Sequence, residues 1–109
     1  MSNQRELIEY REPGGALPFR DWLGRLRDRR AAAAIDARLL RLRLGNLGDA
    51  KSVGGGVREL RIHHGPGYRV YFAEDGYRTV VLLIGGTKAT QAADIRRAKA
   101  YWARYRGEA

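Results

Sequence analysis

The sequence predicts a small α+β domain in which helices come first, short strands follow, and one more helix ends the chain. Residues 18–44 repeat apolar side chains at helical spacing, and residues 90–106 return to it. Between them, residues 57–84 fall into three short segments rich in β-branched and aromatic residues, separated by turns of Gly, Pro and Asp. The 109 residues suffice for one domain, 1–109, with one core, and a hydrophobic content of 44% places the chain among folded proteins.

Leu7 to Tyr10 reads as a first strand, broken by Glu12-Pro13-Gly14-Gly15. Pro18 suits the first turn of a helix, where its missing N–H has no partner to lose, and Phe19, Trp22, Leu23 and Leu26 give that helix an apolar stripe. Asp28-Arg29-Arg30 interrupts the pattern. Ala31 to Leu44 then reads as a second helix with Ile35, Leu39 and Leu42 on one face, so the pair forms a short hairpin or a single bent helix. Gly45-Asn46-Leu47-Gly48-Asp49 ends it, and Ser52-Val53-Gly54-Gly55-Gly56 extends the loop.

Strands are expected at about Val57–His63, Tyr68–Ala73 and Arg78–Ile84, and the short turns between them call for an antiparallel meander. The third is apolar on both faces, as in a central strand covered by a helix, with room for a partner chain. The final helix runs from about Thr90 to Arg106, with Ile95, Ala98, Trp102 and Tyr105 in phase. Trp102 therefore reads as a core anchor rather than a platform for a base.

Lys and Arg number 21 against 12 Asp and Glu, a formal charge of +9, which attracts RNA, DNA, an anionic membrane or an acidic protein. With no cysteine, disulfides, thiolate catalysis and thiolate zinc sites are excluded, and a reducing cytosol is tolerated. Met1-Ser2-Asn3-Gln4-Arg5-Glu6 has no apolar run suited to a secretory signal, and Val80–Ile84 is too short to span a bilayer. A soluble cytoplasmic protein with no membrane partner is expected. Glu59, Glu74, Asp75 and Asp94 lack metal-ligand spacing, and Gly54-Gly55-Gly56 lacks the context of a phosphate loop, so no metal or cofactor is expected.

Alternation along the strands sets Leu60 and Ile62 against Glu59, Arg61 and His63, and Tyr68, Val70 and Phe72 against Arg69 and Tyr71. Arg61, Arg69 and Tyr71 thus share a face. A strand-held guanidinium fork suits bidentate contact with phosphate, which singles out Arg69 first and Arg61 second; the plain alternative is a solvated charge, or for Arg69 a pairing with Glu59 or Glu74. Lys88, where the last strand gives way to a loop, can stabilise developing negative charge. Lys51, Arg58 and Gln91 extend the candidate RNA contacts. His63 shares parity with Arg61 and can exchange a proton, whereas adjacent His63 and His64 face opposite ways and do not form a metal pair. Tyr71 is a candidate to orient phosphate or move a proton, although an ordinary tyrosine is a poor base at neutral pH.

In order along the chain, Phe19-Arg20-Asp21-Trp22-Leu23, Leu42-Arg43-Leu44-Gly45-Asn46, Glu59-Leu60-Arg61-Ile62, Gly65-Pro66-Gly67-Tyr68-Arg69-Val70-Tyr71-Phe72, and Gly86-Thr87-Lys88-Ala89-Thr90-Gln91 with Asp94-Ile95 resemble the RelE/ParE toxin superfamily. The chain is most similar to its HigB-like or phage-derived addiction-module killer branch. The resemblance implies two N-terminal helices against a curved, mainly antiparallel sheet, and a partner helix-turn-helix antitoxin, with a toxin–antitoxin heterotetramer as one assembly. It also implies metal-independent cleavage of messenger RNA on the ribosome: Arg69 and Lys88 would stabilise the scissile phosphate, and Arg61 would position it or help activate the 2′-hydroxyl. The chain departs from the pattern in offering Glu59 where a basic residue is found, and Asp94 and Gln91 in place of a terminal-helix tyrosine. Gyrase inhibition, as in ParE-like relatives, and an antitoxin-binding module of little toxicity are the alternatives.

Overall fold

The structure, a computed structural model, describes residues 4–107, so residues 1–3 of the stretch read for a leader lie outside it. Strand β1 (Glu6–Glu9) leads to helices α1 (Pro18–Arg25) and α2 (Arg29–Arg43). Four strands follow, β2 (Ala50–Gly54), β3 (Val57–Ile62), β4 (Tyr68–Asp75) and β5 (Thr79–Thr87), and a 3₁₀ turn (Lys88–Thr90) opens into α3 (Gln91–Tyr105).

The choice between hairpin and bent helix is settled by local chemistry. Pro18 begins α1, and Leu26 is already extended, with φ −70° and ψ 123°. Asp28 then caps α2, its Oδ1 accepting the N–H groups of Arg30 and Ala31 at 2.9 and 3.2 Å. Two helices result.

The five strands form one sheet in the order β1-β5-β4-β3-β2, antiparallel except for the parallel edge pair of β1 and β5. Strand β2 corrects the expected loop. It lies in the stretch read as a continuous connection, and it hydrogen-bonds to β3 from Ala50↔Leu60 to Gly54↔Val57. Gly55 and Gly56, with φ of 64° and 85°, make the two-residue turn between them. Positive φ at both central residues is what a tight hairpin requires, and glycine supplies it without steric cost. An edge strand with exposed Lys51 and Ser52 carries little apolar pattern, which is why its sequence resembles a loop.

Both faces of the sheet are covered within the chain. Phe19 of α1 and Ala31, Ile35 and Leu42 of α2 pack on Leu60, Ile62, Val70, Phe72, Val80 and Leu82. On the other side, Ala98 and Trp102 of α3 pack with Val57, Tyr71, Ala73, Val81 and Leu83. Residues 80–86 of β5 are consequently buried on both sides, as an apolar run predicts. Trp102 is a core residue, 6% exposed.

Two glycines on β5 let the helices approach. A Cβ on Gly85 would lie 2.1 Å from the Trp22 ring, and one on Gly86 would lie 1.8 Å from Asp94 Oδ2. Gly85→Ala is therefore expected to destabilise the protein by about 1–3 kcal/mol, because an indole ring wedged against a strand cannot retreat cheaply. Chemical denaturation of the variant beside the wild type measures the loss.

Candidate functional site

At one end of the sheet, Arg61, His63, His64, Gly65, Pro66, Gly67, Arg69 and Lys88 line a cleft of about 540 Å³. Local hydrogen bonds build it. The β3–β4 turn is closed by the N–H of Gly67 donating to His64 O at 3.0 Å, and the N–H of Lys88 donates to Gly67 O at 2.9 Å, which ties the lysine's backbone to that turn. Arg38 of α2 donates through Nη1 to Arg61 O at 2.6 Å and through Nη2 to Leu47 O at 3.0 Å, fixing the end of β3. A separate depression of about 570 Å³, between β1 and α2, includes Leu7, Leu39, Leu40 and Arg43 but none of the predicted site residues.

Below the cleft the register of β3 and β4 sets four side chains in a block. Glu59 is opposite Tyr71, and Arg61 is opposite Arg69. Like charges facing each other across strands repel, and here a carboxylate sits diagonally between them. Glu59 is 0% exposed. Its Oε2 accepts the Tyr71 hydroxyl at 2.9 Å and Gln91 Nε2 at 2.8 Å, and its Oε1 accepts Arg61 Nε at 2.9 Å. Arg69 Nε lies 3.9 Å from Oε2 and, although buried, has no hydrogen-bond partner. Burial alone would push the Glu59 carboxyl up, but the bonds from Arg61, Gln91 and Tyr71 and the charge of Arg69 outweigh it and hold it below its ordinary 4.5.

The structure corrects five expectations. Tyr71 does not face the cleft: it is fully buried, and burial followed by its bond to Glu59 raises its pKa far above the ordinary value, so it is no proton shuttle. Gln91 donates its amide inward to Glu59. Arg58 stands opposite Phe72, whose ring belongs to the α1–α2 face, and its Nη1 is 3.5 Å from Glu74 Oε1, so it does not share the face of Arg61. Lys51 is opposite Glu59 on the exposed edge strand and does not line the cleft. Arg61 as an activator of a hydroxyl is also disfavoured, since its hydrogen bond to Glu59 raises the already high pKa of a guanidinium.

Two histidines complete the rim, each beside a carboxylate. His63 Nε2 is 2.5 Å from Asp49 Oδ2, and His64 Nε2 is 3.3 Å from Asp28 Oδ2. The bond with His63 is the chief influence holding Asp49 below the usual carboxylate range. Asp28 is held low first by the Ala31 N–H and then by His64. His64 also stacks beside Tyr68, with ring centroids 6.4 Å apart. Sequence reasoning found Arg61, Arg69, Lys88 and His63; it missed His64 as a cleft residue and Glu59 as the hub. Alternation put Glu59 on the right face, but its contacts depend on strand register and on α3.

A sheet clasped by helices on both faces, ending in a cleft rimmed by two arginines, a lysine and two carboxylate-paired histidines, defines a small α+β domain with a basic cleft. Residues 21–105 match the family described as phage derived protein Gp49-like (DUF891), and the chain belongs to that family, which is of the RelE/ParE toxin type. A protein of Haemophilus influenzae described as an uncharacterized protein is 52% identical over 83 residues, covering 76% of this chain and 84% of that one. The family is consistent with the toxin of a toxin–antitoxin pair. Among the described residues, no helix is long and apolar enough to cross a membrane.

A carboxyl whose pKa is lower in the folded chain than in the unfolded one stabilises the fold fully above the unfolded value, and that contribution disappears as pH falls through the folded value. Glu59 is such a group. At neutral pH, Glu59→Ala should cost about 3–5 kcal/mol, the range for removing one partner of a buried ion pair. Denaturant titrations at a series of pH values should show the gap between wild type and Glu59→Gln narrowing as pH falls below about 4.5.

Proposed function

We propose that the chain is a HigB-like toxin of a type II toxin–antitoxin pair that cuts messenger RNA on the ribosome. The observation that carries this reading is the convergence of Arg61, Arg69 and Lys88 with His63 and His64 on one cleft. Three cations suit a phosphodiester and the extra negative charge it gains during displacement. Imidazole is the side chain whose ordinary titration range suits proton transfer near neutral pH.

In this reading Arg69 and Lys88 bear on the non-bridging oxygens of the scissile phosphate, and Arg61 orients it. One histidine accepts the proton of the 2′-hydroxyl as its oxygen bonds to phosphorus. The bond to the 5′ oxygen breaks, and the other histidine returns a proton to that leaving group. The products carry a cyclic phosphate and a free 5′-hydroxyl. His63, the more exposed, and His64, held beside Tyr68, are the two groups to which this reading gives these roles. The excess positive charge of the chain suits both the ribosome and an acidic segment of a helix-turn-helix antitoxin in the cytoplasm, with a heterotetramer as the proposed assembly.

Primer extension on a defined messenger RNA in a purified translation system tests the reading. Cuts are expected only with ribosomes present, and Arg69→Ala should reduce them by about 10²–10³-fold, the usual effect of removing one fixed charge-stabilising donor. A folded, toxic wild type that leaves the message intact while blocking gyrase supercoiling would replace this reading with the gyrase one. Replacing either histidine should remove one limb of the pH–rate profile in the same system; an unchanged profile for both variants would remove the histidines from proton transfer.

A further inference from the structure

We propose that Glu59 is a positioning residue of the cleft: a buried carboxylate that holds Arg61 and Arg69 from beneath in the orientation that receives phosphate, without touching the ligand itself. The inference rests on the reading of the cleft as a phosphodiester site and adds to it the part that aims the cations.

The carboxylate is sealed from solvent, and each of its hydrogen bonds comes from a group on β3, β4 or α3. An ionised carboxylate only accepts hydrogen bonds, so it would repel a phosphate brought against it. Its value to the site lies in what it does to the arginines. Arg61 spends its Nε on Glu59, and among the described residues neither of its Nη atoms has a protein hydrogen-bond partner. A guanidinium fixed at Nε presents its remaining N–H groups as a rigid fork, with less freedom to lose when phosphate binds. Arg69 is held by charge rather than by a bond, its orphaned Nε 3.9 Å from the same carboxylate.

The carboxylate is itself held in place. Tyr71 and Gln91 donate to one oxygen, so the rotamer of Glu59 is set by β4 and by the first residue of α3. Without this anion, Arg61 and Arg69, directly opposite across two strands, would push apart. Glu59 also removes one positive charge from a cleft carrying three. Its loss should therefore strengthen non-specific attraction for RNA while spoiling the geometry that reaction needs, a separation of binding from turnover that simple loss of stability does not produce.

The test compares wild type, Glu59→Gln and Tyr71→Phe, the last keeping the ring but not the hydroxyl. Binding is read with a non-cleavable 2′-O-methyl RNA oligonucleotide across a salt series, and turnover with ribosome-bound message. Arginine Nε–H signals are followed by NMR. Expected for Glu59→Gln are affinity equal to or above wild type, a steeper salt dependence, turnover about 10²-fold lower, and loss of the protected Arg61 Nε–H signal. Tyr71→Phe should fall between the two. Affinity and turnover declining together in step with melting temperature would overturn the proposal, as would an unchanged Arg61 signal. Should the wild type cleave nothing, the reaction reading fails alone: the NMR signal and the salt series still decide whether Glu59 aims the arginines at phosphate.

Discussion

Glu59 is sealed inside the protein as an anion, and the cleft end of the sheet is organised around the donors that make this tolerable. A buried carboxylate is costly unless its lone pairs are met and a cation stands near. Here a tyrosine and a glutamine supply neutral hydrogen bonds, one arginine supplies a charged one, and a second arginine supplies its field. Each donor comes from an element whose position the rest of the fold must guarantee. The site is thus coupled to the packing of the whole sheet.

That guarantee comes from covering the sheet twice. The α1–α2 pair fills one face and α3 fills the other, so β4 and β5 lie inside the protein and cannot shift in register without burying the wrong side chains. Gly86, next to Arg69 in the ladder, has no side chain to keep α3 away, and Asp94 and Thr90 occupy the space, hydrogen-bonded to each other. This close approach helps place Gln91 over Glu59. Arg38 performs the matching service on the other face by gripping the backbone of Arg61. The cleft consequently combines side chains fixed by strands with a glycine-rich turn that brings histidines and a lysine to its rim.

The chemistry available in the cleft follows from which groups the fold has removed. Tyr71 and Gln91 are committed to Glu59, and the pKa of Arg61 is driven up, which is why the proposed reaction assigns proton transfer to the imidazoles of His63 and His64. Their carboxylate partners, Asp49 and Asp28, belong respectively to the approach to β2 and to the cap of α2. Asp28 therefore has two roles, closing the first turn of a helix and holding a histidine at the cleft. The phage-derived Gp49-like family, of the RelE/ParE toxin type, is the setting in which a cleft of this charge and composition acquires its proposed use against RNA.

By itself the sequence determined the helices, four of the five strands and the face each strand residue takes, because apolar spacing, Pro18, Asp28 and the glycine-bearing turns are local signals that later packing reinforced. It also determined Arg61, Arg69, Lys88 and His63 as candidates, since alternation and strand ends can be counted along the chain. Only the tertiary structure decided that β2 is a strand, because an edge strand draws its order from its neighbour's hydrogen bonds rather than from its own apolar content. Tertiary structure likewise decided that Tyr71 is buried and that Glu59 is the hub rather than a missing cation. Those outcomes rest on cross-strand register and on where α3 lands, and both are set by contacts between residues far apart in the chain.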